Sequence, residues 1–140
     1  MPDRFEPGTL NLPGILGLSA ALRWLEETGI DNICAHELDL TAHFLRGLRK
    51  IPNIRTIGKQ TANGRTGVVS IQTTAKDPAQ AAWELDEQYG ILTRTGLHCA
   101  PFAHKTLGTF PIGTIRFSFG WWNTHEEIET ALRALMEITK

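Results

Sequence analysis

Two cysteines, Cys34 and Cys99, are all that this chain of 140 residues carries. A small secreted scaffold uses many more to staple a core it cannot otherwise build, so the scarcity points to a reducing, cytoplasmic setting. Neither charge is in surplus: the net charge is −1 at pH 7. That leaves no basic field for nucleic-acid phosphates and no cationic face for anionic lipid. Long apolar runs are missing too. The stretch from Leu12 to Leu25 is broken by Arg23 and falls short of the ~20 residues that span a bilayer. The opening Met1-Pro2-Asp3-Arg4-Phe5-Glu6 has no basic n-region of a secretory signal. There are no internal repeats, low-complexity tracts or obvious linkers. Lysine is scarce, occurring only at positions 50, 59, 76, 105 and 140.

What is present reads as alternating helices and strands. Pro13 suits a first helical turn, Leu18, Leu22 and Leu25 follow at helical spacing, and Gly29 is a stop. Asp31 is placed to cap a second helix reaching about Lys50. Cys34, Leu38, Thr41, Leu45 and Leu48 form its apolar seam; His36, Asp39, His43, Arg46 and Lys50 form a solvated opposite face. Ile54–Lys59 and Val68–Thr73 read as strands, Asp77-Pro78 with Gln80 as a helix start and Gly90 as its end. Ile91–Thr95 is a short strand, Pro101–Leu107 a short helix, and Thr114–Phe119 an alternating strand. Ile115, Phe117 and Phe119 point one way on that strand; Thr114, Arg116 and Ser118 point the other. Thr124 with Glu127 forms a capping box for a last helix whose stripe is Ile128, Ala131, Leu132, Leu135 and Ile138, with Glu129 and Arg133 paired outside. The short connections predict an α+β layer: a small, mainly antiparallel sheet with helices on one side.

Cys99 is the most informative residue. It sits in Arg94-Thr95-Gly96-Leu97-His98-Cys99-Ala100-Pro101. A free cysteine is usually a small buried hydrophobe. Against that, Thr95-Gly96 is loop chemistry, and Pro101 predicts that Cys99 opens a helix, where the backbone dipole favours a thiolate. His98 stands beside it. Arg116 faces away from the apolar side of its strand and is either a solvated arginine or a bidentate carboxylate clamp. Arg94 is a weaker candidate of the same kind. Cys34, on its helix seam, reads as structural. His36, Asp39 and His43 lack the i,i+4 histidine spacing of helical zinc sites, so no metal is expected. Trp121-Trp122 is either core or a docking patch.

Together these motifs resemble the C-terminal part of cysteine desulfurases, in the class V branch of pyridoxal-phosphate enzymes. Arg4-Phe5-Glu6-Pro7-Gly8-Thr9-Leu10-Asn11 is similar to the segment leaving that family's large domain. Arg94–Ala100 is similar to the catalytic-cysteine turn of the SUF-type group, which includes selenocysteine-lyase-like members. Ile115-Arg116-Phe117-Ser118 with Asn123-Thr124-His125-Glu126-Glu127-Ile128 is similar to its substrate-arginine strand and final helix. Leu97 stands where the group more often has a second histidine, and Leu10 where proline is usual.

The resemblance implies that residues 1–12 connect to a large cofactor-binding domain and that 13–140 form the small C-terminal domain. It implies that Cys99 takes sulfur from a cysteine held on pyridoxal 5'-phosphate, carrying it as a persulfide while alanine leaves. Arg116, Arg94 and His98 would bind substrate, and Thr9 would reach the cofactor phosphate across a homodimer interface. Implied partners are the large domain, a second copy and a sulfur-acceptor protein. The Schiff-base lysine belongs to the large domain; His104-Lys105 echoes its motif but follows the cysteine instead of preceding it. On this reading the chain is inactive alone. Another class V activity (selenocysteine lyase or aminotransferase-like) and a stand-alone partner-binding module remain as alternatives.

Overall fold

The computed structural model describes residues 8–140 and divides into two compact units, Met1–Ile33 and Cys34–Lys140. The Arg4-Phe5-Glu6-Pro7 part of the first motif lies outside the described residues.

In the first unit, helix α1 runs Leu12–Thr28. The Asn11 side chain accepts from the Gly14 N–H at 3.1 Å, and Pro13 occupies the first turn. Gly29, with φ 82°, ends it. The helix has no buried residue: Leu12, Leu16, Leu18 and Leu22 are all exposed. Helix α2, Ile30–Leu48, starts directly after Gly29, so Asp31 sits inside its first turn rather than capping it. An acidic residue there still suits the positive end of the helix.

In the second unit, strands β1 (Ile54–Ile57), β2 (Val68–Thr73), β3 (Arg94–Gly96) and β4 (Thr114–Ser118) form a fully antiparallel sheet in the order β1-β2-β4-β3. Helix α2 from Cys34 onward, with α3 (Pro78–Tyr89), α4 (Pro101–Thr106) and α5 (His125–Ile138), completes this unit. The architecture is the expected α+β layer. Period-2 alternation puts Val69, Ile71, Ile115 and Phe117 on one face of the sheet, all in the core. They meet Leu40, Phe44 and Leu48 of α2, Leu85 of α3 and the stripe of α5. Phe44 is fully buried and lies 5.0 Å from Phe117 and 5.1 Å from Phe119, ring centre to ring centre. Burying such a ring is worth about 1.5–3 kcal/mol relative to leaving it exposed.

Local chemistry sets the helix limits. Asp77 accepts from the Ala79 and Gln80 N–H groups, and Gly90 closes α3 in the left-handed conformation. Thr124 and Glu127 form the complete capping box of α5. The strand before Cys99 is shorter and later than its sequence suggests, Arg94–Gly96 in place of Ile91–Thr95. Ile91 is instead tied to the end of α3 by its N–H to the Leu85 carbonyl at 2.9 Å.

Three expectations fail on α2 and α5. Cys34 is exposed, because core burial along α2 begins only at Leu40. The histidine face of α2 is not simply solvated but forms a polar seam with the start of α5. His36 Nε2 lies 2.9 Å from the Asn123 carbonyl, His125 Nε2 is 2.9 Å from Asp39, and His43 bonds to Glu129. Glu129 makes its direct bond to His43 rather than to Arg133, which donates to Thr130 Oγ1 and acts on Glu129 only through its charge. Among the described residues no group of three or more His, Cys, Asp or Glu could hold a metal ion, and no helix is long and apolar enough to cross a membrane.

Candidate functional site

The sheet brings the two arginines together. In the β3–β4 register Arg94 is the direct partner of Arg116, and Ser70 of β2 is the partner of Arg116 on its other side. Directly opposed residues share a face, so both guanidinium-bearing positions lie on the side away from Ile115 and Phe117. Like charges at this spacing repel, which makes the pairing a cost to the sheet. The Arg116 Nε is buried and has no hydrogen-bond partner, a donor left open on that face.

Cys99 joins this pair. It is exposed, and an Arg94 terminal nitrogen lies 3.7 Å from its Sγ. The helix-opening position expected for it is not observed. The N-cap of α4 is Ala100, the helix has six residues, and no side chain caps it. Cys99 lies one residue outside, in a tight turn closed by the Ala100 N–H to the Leu97 carbonyl at 2.8 Å. Both central residues have positive φ, His98 at 49° and Cys99 at 59°. This is the sense of a type I′ turn, which normally takes Asn or Gly. Each L-residue held there costs roughly 1–2 kcal/mol, so the turn persists only because its surroundings fix it. The cationic neighbour of the thiol is thus an arginine side chain and not a helix dipole.

His98 is part of what fixes the turn. Its Nε2 shares a 3.0 Å hydrogen bond with Thr114 Oγ1 on β4, and its ring lies 5.7 Å from that of His104. Burial, then Arg116, His104 and Arg94 hold its pKa below the ordinary value. Its Nδ1 is buried without a partner. Close backbone packing supports the same place: a Cβ on Gly113 would come within 2.3 Å of the Gly96 backbone.

Of the residues singled out in the sequence, Cys99, Arg94, Arg116 and His98 therefore converge. Thr9 is exposed just ahead of α1, in the other unit. Thr114, His104 and Thr109 were given no place in the site by the sequence reading. Thr114 was detectable, two residues before Arg116 on the same strand face; the other two carry no periodic signal. Cys99 and Arg94 are exposed at the site, while Arg116 and His98 are half-buried. A cleft of about 630 Å³ near the α3 end and the α5 start is lined by residues such as Tyr89, Ile91, Phe119 and Asn123, and includes none of the four.

The family model for aminotransferase class-V matches residues 1–131. The chain belongs to this family. Its members use pyridoxal phosphate. The chain is 39% identical over 140 residues to a probable cysteine desulfurase of Xylella fastidiosa, covering 99% of this chain and 32% of that protein. It is 38% identical over 139 residues to one of Pyrococcus abyssi, covering 99% and 34%. Among solved structures it matches the apo cysteine desulfurase of Thermococcus onnurineus NA1 with a TM-score of 0.89 at 36% identity, covering 99% of this chain and 34% of that one. The cysteine desulfurase CsdA of Escherichia coli matches with a TM-score of 0.84 at 28% identity, covering 98% and 33%. The chain thus spans about a third of the length of these relatives, corresponding to their C-terminal part.

The site residues fit an anionic substrate better than they fit the cofactor. Lys105, the lysine nearest Cys99 in sequence, has its Nζ 5.5 Å and 5.1 Å from the Phe102 and Phe110 ring centres, engaged in cation–π contacts. The unpartnered polar atoms at the site are the Arg116 Nε–H donor and the His98 Nδ1, beside a thiol. Such a set can hold a carboxylate and keep a sulfur nucleophile beside the bound molecule.

Proposed function

We propose that this chain supplies the sulfur-accepting and carboxylate-binding side of a pyridoxal-phosphate-dependent cysteine desulfurase. The observation that carries the reading is the grouping of Cys99 with the opposed Arg94–Arg116 pair, the sulfur 3.7 Å from Arg94. Arg116, assisted by Arg94, binds the carboxylate of L-cysteine. His98 lies on the substrate side with its free Nδ1. The Cys99 thiolate forms a bond to the substrate sulfur as the carbon–sulfur bond breaks. The electron pair of that bond stays with the carbon, which takes up a proton and leaves as alanine, and Cys99 keeps the substrate sulfur and its proton as a persulfide. Cofactor chemistry at the carbon belongs to the part of the relatives that this chain does not span, and no step of it is assigned to these residues.

Thr9 is proposed to contact the cofactor phosphate across a homodimer interface, and a sulfur-acceptor protein to discharge the persulfide from the exposed Cys99. The test is to join the chain to the N-terminal two thirds of the Xylella fastidiosa relative and to measure alanine formed from L-cysteine. We expect alanine release that Cys99→Ala abolishes while cofactor absorbance is kept. Unaltered turnover in Cys99→Ala would favour another class V activity instead.

A further inference from the structure

The reading above leaves one buried titratable side chain without a role. His104 is only 6% exposed, inside the short helix that follows Cys99. Its Nδ1 lies 2.6 Å from Thr109 Oγ1, and its carbonyl accepts from the Thr109 N–H at 2.9 Å and the Phe110 N–H at 3.2 Å. Its ring packs 5.7 Å from His98. Beyond Thr109, the Gly113 N–H donates to the Thr109 carbonyl at 2.7 Å, and the next residue, Thr114, holds His98. These contacts close a circuit, from His104 to Thr109, Thr114, His98 and back to His104. It encloses the turn on which His98 and Cys99 both take left-handed backbone angles. α4 fixes the chain after Cys99 and His98 fixes it before; His104 touches both. Left-handed L-residues need such outside restraint, and no other side chain ties both flanks of the turn among the described contacts.

We infer that His104, through Thr109 and His98, is a positioning residue that holds Cys99 beside Arg94. This rests on the proposed role of Cys99 but not on the identity of the substrate. The experiment compares alkylation of the full 140-residue chain by neutral iodoacetamide and anionic iodoacetate, with the exposed Cys34 as internal reference. Arg94 beside Cys99 attracts the anionic reagent, so losing that neighbour lowers the preference of Cys99 for iodoacetate over iodoacetamide, and Cys34 takes out the intrinsic difference between the reagents. In Thr109→Val, an isosteric change that removes only the hydroxyl, we expect the iodoacetate:iodoacetamide preference of Cys99 over Cys34 to fall about fivefold, the attraction of one cation in a mostly aqueous dielectric. His104→Leu should do the same, and Thr109→Ser, which keeps the hydroxyl, should restore the wild-type ratio. A cooperative thermal melt and an unchanged Cys34 rate separate this effect from general unfolding. Wild-type ratios in both Thr109→Val and His104→Leu would overturn the inference. A preference that falls in Arg94→Gln but not in Thr109→Val or His104→Leu would leave the carboxylate-clamp reading standing and remove the positioning role.

Discussion

Arg94 and Arg116 stand directly opposite each other on neighbouring antiparallel strands, two cations on one face of the sheet. A fold chosen for stability alone would avoid this, since opposed like charges weaken a strand pair. The arrangement makes sense where an anion is to be bound between them.

The first consequence is a trade of stability against binding. Arg116→Met removes the repulsion and the unpartnered Nε while filling the space with a flexible apolar chain. We expect the variant to be as stable as the parent or more so, by about 0.2–1 kcal/mol in urea unfolding. Destabilisation beyond 1 kcal/mol would mean that the guanidinium is a structural tie.

The turn makes a second trade visible. Cys99 sits at φ 59°, a region glycine occupies without penalty. Cys99→Gly should therefore be more stable than Cys99→Ala by about 0.5–1 kcal/mol, the relief of strain less the cost of a freer unfolded chain. Equal melting temperatures for the two variants would show that the turn carries no such strain.

His98 gives the chain a pH dependence of known sign. Its folded pKa lies below the ordinary histidine value, so the unfolded chain takes up its proton first as pH falls. The contribution is complete above about pH 6.5, the unfolded value, and is lost as pH drops from there through the folded pKa. Urea midpoints measured between pH 7.5 and 5 should decline, and His98→Asn should flatten that decline. An identical slope in the variant would assign the effect to another group.

Much of this was legible in the residues. The β4 alternation fixed which face Arg116 takes, and Thr124 with Glu127 marked the α5 start exactly where the capping box forms. Both signals are local. Cys34 was misread because helical spacing tells which residues share a stripe, not how far along the helix a partner covers it; burial starts at Leu40. The pairing of Glu129 with His43 in place of Arg133 is a contact between helices distant in sequence, which i,i+4 reasoning cannot see. The same holds for Arg94. Its strand does not alternate cleanly, and its alignment with Arg116 comes from sheet register. Pro101 did mark a helix start, but the turn before it carries Cys99 outside the cap.

The account stands on a thiol placed next to a paired guanidinium site, and competition between two alkylating reagents reads that directly. Iodoacetate carries a carboxylate beside its reactive carbon; iodoacetamide does not. With the chain treated with both at neutral pH and low salt, the iodoacetate:iodoacetamide rate ratio at Cys99 should exceed that at Cys34 by about tenfold, what two nearby cations supply in a mostly aqueous dielectric. The excess should shrink in Arg94→Gln and in Arg116→Gln. Equal ratios at the two cysteines in the wild-type chain would contradict it.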